Sequence, residues 1–244
     1  MNETVFVTGV TNQEFLERYA GAGRVGLSGG TTWLDVAICR AQRHLHPRKR
    51  WGMWSHAFFF EGARADGHQW VIESDIQIQK KHIQLGVQEN RVTKFHDETL
   101  HASLAVLDFG LSGELVQALI REGLELVANR ERYSVRELFG TLLALRHTGL
   151  RGQTNLLARE RSVYCSAFVH YLFRKVGLDI APGVEIKNTA PQDIANTLLP
   201  HRMYVLQREI PRDRLGELNR GLKVRIKAGL REARRRTGRA RTSG

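Results

Sequence analysis

A change of hydrophobic period near Ser112 divides this 244-residue chain. Before it, apolar residues fall in runs of strand length. These are Trp54 to Phe60, closed by Glu61-Gly62; Gln69 to Ser74, after a turn at Asp66-Gly67; Ile76, Ile78, Ile83, Leu85 and Val87 with polar residues between; and Leu104 to Phe109. The first two read as a β-hairpin with a longish loop. After Ser112 the spacing is helical. One helix runs from Ser112-Gly113-Glu114 to Asn129. A second runs from the capping box Ser134-Val135-Arg136-Glu137 to about His147, and a third from about Ser162 to Val176, stopped by Gly177. Strands clustered together and helices clustered apart predict an α+β fold with a mainly antiparallel sheet, not a doubly wound parallel one.

The flanks fit that frame. Thr11-Asn12-Gln13-Glu14 is a capping box for a helix to about Tyr19, and Val25-Gly26-Leu27 reads as a short strand. Gly29-Gly30-Thr31-Thr32 reads as a turn and cap before a helix from Trp33 to about Gln42. His44, His46 and Arg48-Lys49-Arg50 read as a loop with no further metal ligands near, so neither metal nor cofactor is expected. Gly21-Ala22-Gly23-Arg24-Val25-Gly26 spells G-x-G-x-x-G, but it follows a helix where a dinucleotide site needs a strand. Thr189-Ala190-Pro191-Gln192 opens a short helix to Leu198, and Met203 to Gln207 is a last strand. Domain boundaries follow: one domain over 1–210, with the helices of about 112–147 inserted in it, and a basic helical extension over 211–244.

Charge is informative through its location. The net charge is +12, and residues 221–244 hold nine Lys or Arg against one acid, Glu232. That tail suits an anionic membrane surface or nucleic acid, though no aromatics alternate with its arginines to stack bases. No apolar run approaches the roughly 18 residues of a membrane span. The first residues show no secretory pattern, which predicts a cytoplasmic protein unless a non-classical route exports it. Two cysteines, Cys39 and Cys165, are far apart in sequence; they could pair, but nothing suggests a disulfide framework, and a reducing compartment is the default.

Cys165 stands in the first turn of its predicted helix. If Ser162 is the N-cap, unpaired N–H groups favour its thiolate and can hold an oxyanion. Cys39, inside an apolar helix, reads as a small core residue. Ten histidines compete as base. His170 is five residues along the Cys165 helix and points elsewhere. His201 precedes a strand and is the rival. His56 begins an apolar strand, and the next strand carries Glu73 in an apolar run. Neighbouring strands lie about 5 Å apart, within reach for Glu73 to orient the imidazole. Asp75, on the same face, is the alternative orienter.

The stretches Gly26-Leu27-Ser28-Gly29-Gly30, Ser55-His56-Ala57-Phe58-Phe59-Phe60-Glu61-Gly62, Val71-Ile72-Glu73-Ser74 and Tyr164-Cys165-Ser166-Ala167-Phe168-Val169, in this order, resemble the circularly permuted branch of the papain-like NlpC-type superfamily. That branch holds YiiX-like bacterial proteins and the lecithin–retinol acyltransferase group. The histidine strand precedes the cysteine helix by 109 residues, the permuted order. The resemblance spans roughly residues 20–207 and implies Cys165 as nucleophile, His56 as base and Glu73 as third polar residue. Tyr164 and Ser166 would serve the oxyanion or substrate side. Ala57-Phe58 stands where the family usually has Val-Gly, and Ala167 where relatives often carry an acid. The implied activity is a cysteine hydrolase acting on an amide, with cell-wall peptide as the leading substrate class. The alternatives are a lipid-directed thiol esterase or acyltransferase on the same residues, or a non-catalytic binding protein with a basic tail.

Overall fold

In the computed structural model, residues 2–45, 51–79, 82–129 and 165–208 are described. The predicted helix over 134–147, the start of the cysteine helix from Ser162, Tyr164 and the basic tail lie outside them. The chain divides into two units after Gln207, and the sheet and its helices belong to the first.

Seven strands form one sheet in the order β1-β7-β6-β2-β3-β4-β5. They are β1 Glu3–Val7, β2 Val25–Gly30, β3 His56–Ala63, β4 Gln69–Gln79, β5 His82–Arg91, β6 His101–Asp108 and β7 Arg202–Leu206. Every pairing is antiparallel except β1 with β7, which is parallel. The expected α+β class holds. β1 was not anticipated: its five residues are mostly exposed, and only pairing with β7 makes them a strand. β2 also runs further than its sequence suggests. Gly29 and Gly30 pair with Ser103 and His101, so they belong to the strand and not to a turn. The expected break at Glu61-Gly62 is a bulge inside β3, where Gly62 takes φ +114°.

Among the described residues the α-helices are α1 Asn12–Tyr19, α2 Trp33–Ala41, α3 Gly113–Ala128, α4 Cys165–Lys175 and α5 Pro191–Ala195. Thr11 and Thr32 cap the first two through capping boxes with Glu14 and Asp35, and Ser112 caps α3. α4 ends with Leu178 N–H bonded to Phe173 O and Gly177 at φ +78°, a glycine stop at the expected residue. His44, expected in a loop, falls in a 3-10 turn over Gln42–Leu45, and another such turn covers Val92–His96.

Each face of the sheet carries its own core. On one, Val25, Leu27, Ala57, Phe59 and Ile72 pack against Phe168, Val169, Leu172 and Phe173 of α4 and Leu119 and Leu126 of α3. On the other, Phe58, Phe60, Val71, Leu104 and Val106 pack against Phe15 and Leu16 of α1 and Val92 and Phe95 of the 3-10 turn. Residues 57–60 are apolar without interruption because β3 is covered on both faces, with successive side chains going to opposite cores. α3, the described part of the expected insertion, belongs to the core: a Cβ on Gly123 would lie 2.9 Å from Ile72 Cδ1.

Candidate active site

His56 is the first residue of β3, and its position is built from both sides. Ser28 is its register partner on β2. The preceding Ser55 takes Gly30 N–H on its hydroxyl at 3.0 Å and gives its own N–H to Ser28 O at 2.9 Å. The segment leading in is tied by Gln42, fully buried, which donates to Trp54 O at 2.8 Å and accepts Gln192 N–H at 2.8 Å. Gln192 in turn accepts Met53 N–H at 3.3 Å. A polar relay from α2 through the loop to α5 therefore fixes where β3 begins.

Glu73 shares a face with Val71 by the two-residue period, and Val71 pairs with Phe60. It therefore lies on the face of Phe58 and His56. Its side chain has no solvent exposure, and its Oε2 lies 2.5 Å from His56 Nε2. Its Oε1 accepts from Asn90 Nδ2 at 2.6 Å and from Lys94 Nζ at 2.5 Å. Lys94 also reaches Asp75 Oδ2 at 2.5 Å. Asp75, the alternative orienter, thus pairs with the lysine while Glu73 meets the imidazole.

Cys165, on α4, lies near enough to His56 for its side chain to act on the charge of the imidazole. With Nε2 facing Glu73, Nδ1 is the ring nitrogen left for another partner. Burial works against a charged imidazole here, but the negative charges and hydrogen bonds of Cys165 and Glu73 outweigh it and hold His56 well above its ordinary pKa. Burial alone would likewise raise Glu73. The hydrogen bond from His56 and the charges of His56 and Lys94 instead hold its carboxyl well below the usual range. Lys94 stays protonated for the complementary reason: Glu73 and Asp75 offset its desolvation.

The other candidates are used elsewhere. Ser166 is buried and its hydroxyl donates to Thr189 O at 2.6 Å. His170 lies between Thr189 Oγ1 at 2.7 Å and Asp179 Oδ1 at 3.1 Å, and burial lowers its pKa. His201 is held by Leu199 O at 2.7 Å beside Phe109, lining a cleft of about 360 Å³ with Glu3, Asp108 and Arg202. Cys39 is a free, buried thiol; desolvation and then the Asp35 carboxylate push its pKa up to about 12. Tyr164 lies outside the described residues.

No protein-family model matches the chain, and no curated protein matches it. In solved structures it is similar to metalloprotein yiiX. That crystal structure, from Escherichia coli O157:H7, shares 14% identity over 79% of this chain and 99% of its own, with a TM-score of 0.49. Among the described residues, no group of three or more His, Cys, Asp or Glu side chains is placed to hold a metal ion.

Sequence reasoning missed three members of the site. Lys94 comes from a 3-10 turn with no periodic signal. Asn90 comes from the far strand of a hairpin. His101, at the start of β6, lies close enough to His56 for its pKa to be lowered by that charge as well as by burial, and its Nδ1 lies 2.9 Å from Ser28 Oγ.

Proposed function

We propose that the protein is a cysteine hydrolase that cleaves an amide through a thioester intermediate. The single observation behind this reading is that Cys165 and Glu73 both act on the His56 imidazole, Glu73 through its hydrogen bond to Nε2. A thiolate beside an imidazolium whose far nitrogen is fixed by a buried carboxylate is the arrangement that nucleophilic acyl transfer requires. The Cys165 thiolate attacks the amide carbonyl carbon. His56 passes its Nδ1 proton to the leaving nitrogen as the C–N bond breaks, leaving the acyl group on sulfur. Water then attacks the thioester and gives a proton to His56 Nδ1. The carboxylic acid product leaves, and thiolate and imidazolium face each other again. With the Ser166 hydroxyl committed to Thr189, that residue's contribution to an oxyanion site falls to its backbone N–H. Peptide amides of the cell-wall type are the substrate class the sequence resemblance implies.

A second reading has its own observation. Met53 and Leu100 are exposed apolar residues that flank the end of β2 next to His56. The Met53 carbonyl sits 2.3 Å from where a Gly29 Cβ would be, and the Leu100 carbonyl accepts Thr31 N–H at 3.2 Å. An apolar rim suits an acyl chain, with residues 221–244 as the contact to an anionic surface. The test is a panel of peptide amides and of p-nitrophenyl esters of increasing acyl length, run on the wild type and on Cys165→Ala. Hydrolysis of amides that disappears in Cys165→Ala, with the circular dichroism spectrum unchanged, is the expected result. Activity that rises steadily with acyl length while amides stay intact moves the assignment to the esterase. Activity undiminished in Cys165→Ala overturns both.

A further inference from the structure

We propose that Lys94 is a positioning residue: it keeps Glu73 a charged, acceptor-only partner of His56 in both protonation states that the histidine passes through. The proposal rests on Cys165 and His56 being the nucleophile and base. Its grounds are geometric. Glu73 divides its oxygens, Oε2 to His56 and Oε1 to Lys94 and Asn90, and none of it reaches solvent. Lys94 is anchored by its neighbours in the Val92–His96 turn, where Val92 and Phe95 are buried. Phe95 stacks on Phe58 with ring centroids 4.0 Å apart, and His56 lies 6.2 Å from Phe95. The turn that carries the ammonium is thus packed against the strand that carries the imidazole.

The chemistry explains why a fixed cation is needed. In the proposed mechanism the resting imidazolium lies between the Cys165 nucleophile and the Glu73 carboxylate. Once His56 has given its proton to the leaving group, it is neutral and Glu73 loses that counter-charge. A fully buried carboxylate without a cation tends to take a proton. The nearest is on His56 Nε2. Were that proton to pass to Glu73 while Nδ1 took one from water, the imidazole tautomer would be reversed and the nitrogen that must accept a proton in the next step would already carry one. Lys94, 28% exposed and balanced by Asp75, holds its charge throughout and removes that tendency. The groups facing His56 are Cys165 from α4, Glu73 from β4 and His101 from β6. Those facing Glu73 are His56, Lys94 and Asn90, and Asp75 faces Lys94.

The test reads Cys165 directly and needs no substrate. In full-length protein carrying Cys39→Ser, the rate of alkylation by iodoacetamide is followed from pH 3 to 10. The wild-type site should show two limbs, one as the ion pair forms and one as His56 loses its proton. Removing a positive charge raises the pKa of every acid near it. Lys94→Met should therefore move the acid limb up by about one pH unit, roughly a tenfold slower reaction on that limb. Lys94→Gln, which keeps a hydrogen-bond donor without the charge, should move it equally, and Lys94→Arg should restore it. In a Glu73→Gln background, Lys94→Gln should add a smaller shift than it does in the wild type, the difference being the part that runs through Glu73. Limbs that stay in place in Lys94→Gln, with only a uniform loss of rate, overturn the proposal. A wild-type profile with a single limb near an ordinary thiol's pKa of about 8.5 overturns the Cys165–His56 reading itself, a different result.

Discussion

Glu73 is the residue on which the site's electrostatics turn. It is a carboxylate with no access to water, held ionised by an imidazolium on one oxygen and an ammonium and an amide on the other. Glu73→Gln preserves size and can still accept from His56 Nε2, but it removes the charge that favours the imidazolium. By comparison with other triads that lose their carboxylate charge, hydrolysis should fall by about 100-fold or more. The pH dependence of alkylation should show a depressed second limb, because His56 gives up its proton earlier. A change in KM alone, with kcat intact, would mean that Glu73 serves substrate binding.

At the scale of elements, the candidate site joins the start of β3, the strand β4 beside it, α4 and one 3-10 turn, and the packing that holds them is specific. β2 passes beneath Phe58, and a Cβ on Gly26 would stand 2.1 Å from the ring's Cε2. The side chain is absent so that the ring of the neighbouring strand can lie flat against Phe95. Gly26→Ala must displace Phe58 and, through Phe95, the turn that carries Lys94. It should lower stability by about 1–3 kcal/mol, as overpacking does, read from the urea midpoint. It should also slow Cys165 alkylation, although residue 26 touches neither Cys165 nor His56. Stability lost with the alkylation profile unchanged would separate this packing from the site.

For the whole molecule, the two shifted groups set how stability follows pH. His56 is raised, so its contribution is complete below about 6.5, the ordinary histidine value, and is lost as pH rises through its folded value. Glu73 is lowered, so its contribution is complete above about 4.3, the ordinary glutamate value, and is lost as pH falls towards its folded value. Both are fully present between those limits. The urea midpoint should peak at roughly pH 4.5–6.5 and decline on either side, and Glu73→Gln should flatten the acid decline. An acid limb of equal steepness in Glu73→Gln would assign the decline to other carboxylates. Among the described residues no helix is long and apolar enough to cross a membrane.

The sequence by itself determined what local chemistry determines. Short apolar runs against helical spacing marked β3, β4, β6 and α3, a capping box placed Thr11 at a helix start, and a turn and cap at Gly29-Gly30-Thr31-Thr32 placed the start of the next helix. Glycine punctuation placed the end of α4 at Gly177. It also singled out Cys165, His56 and Glu73 as residues worth joining, because an apolar strand that begins with histidine and another that carries one carboxylate are departures from their own patterns. The tertiary structure alone decided the rest. β1 is a strand only because β7 offers it an edge, and Gly29-Gly30 are strand and not turn because β6 pairs with them. Asp75 and Glu73 were equivalent by periodicity. They were separated only when Lys94 arrived from a turn about twenty residues later and took one oxygen of each. Side-chain period is a local property of the chain. Which buried charge meets which counter-charge depends on sheet register and on turns that carry no period, and those exist only once the chain has folded.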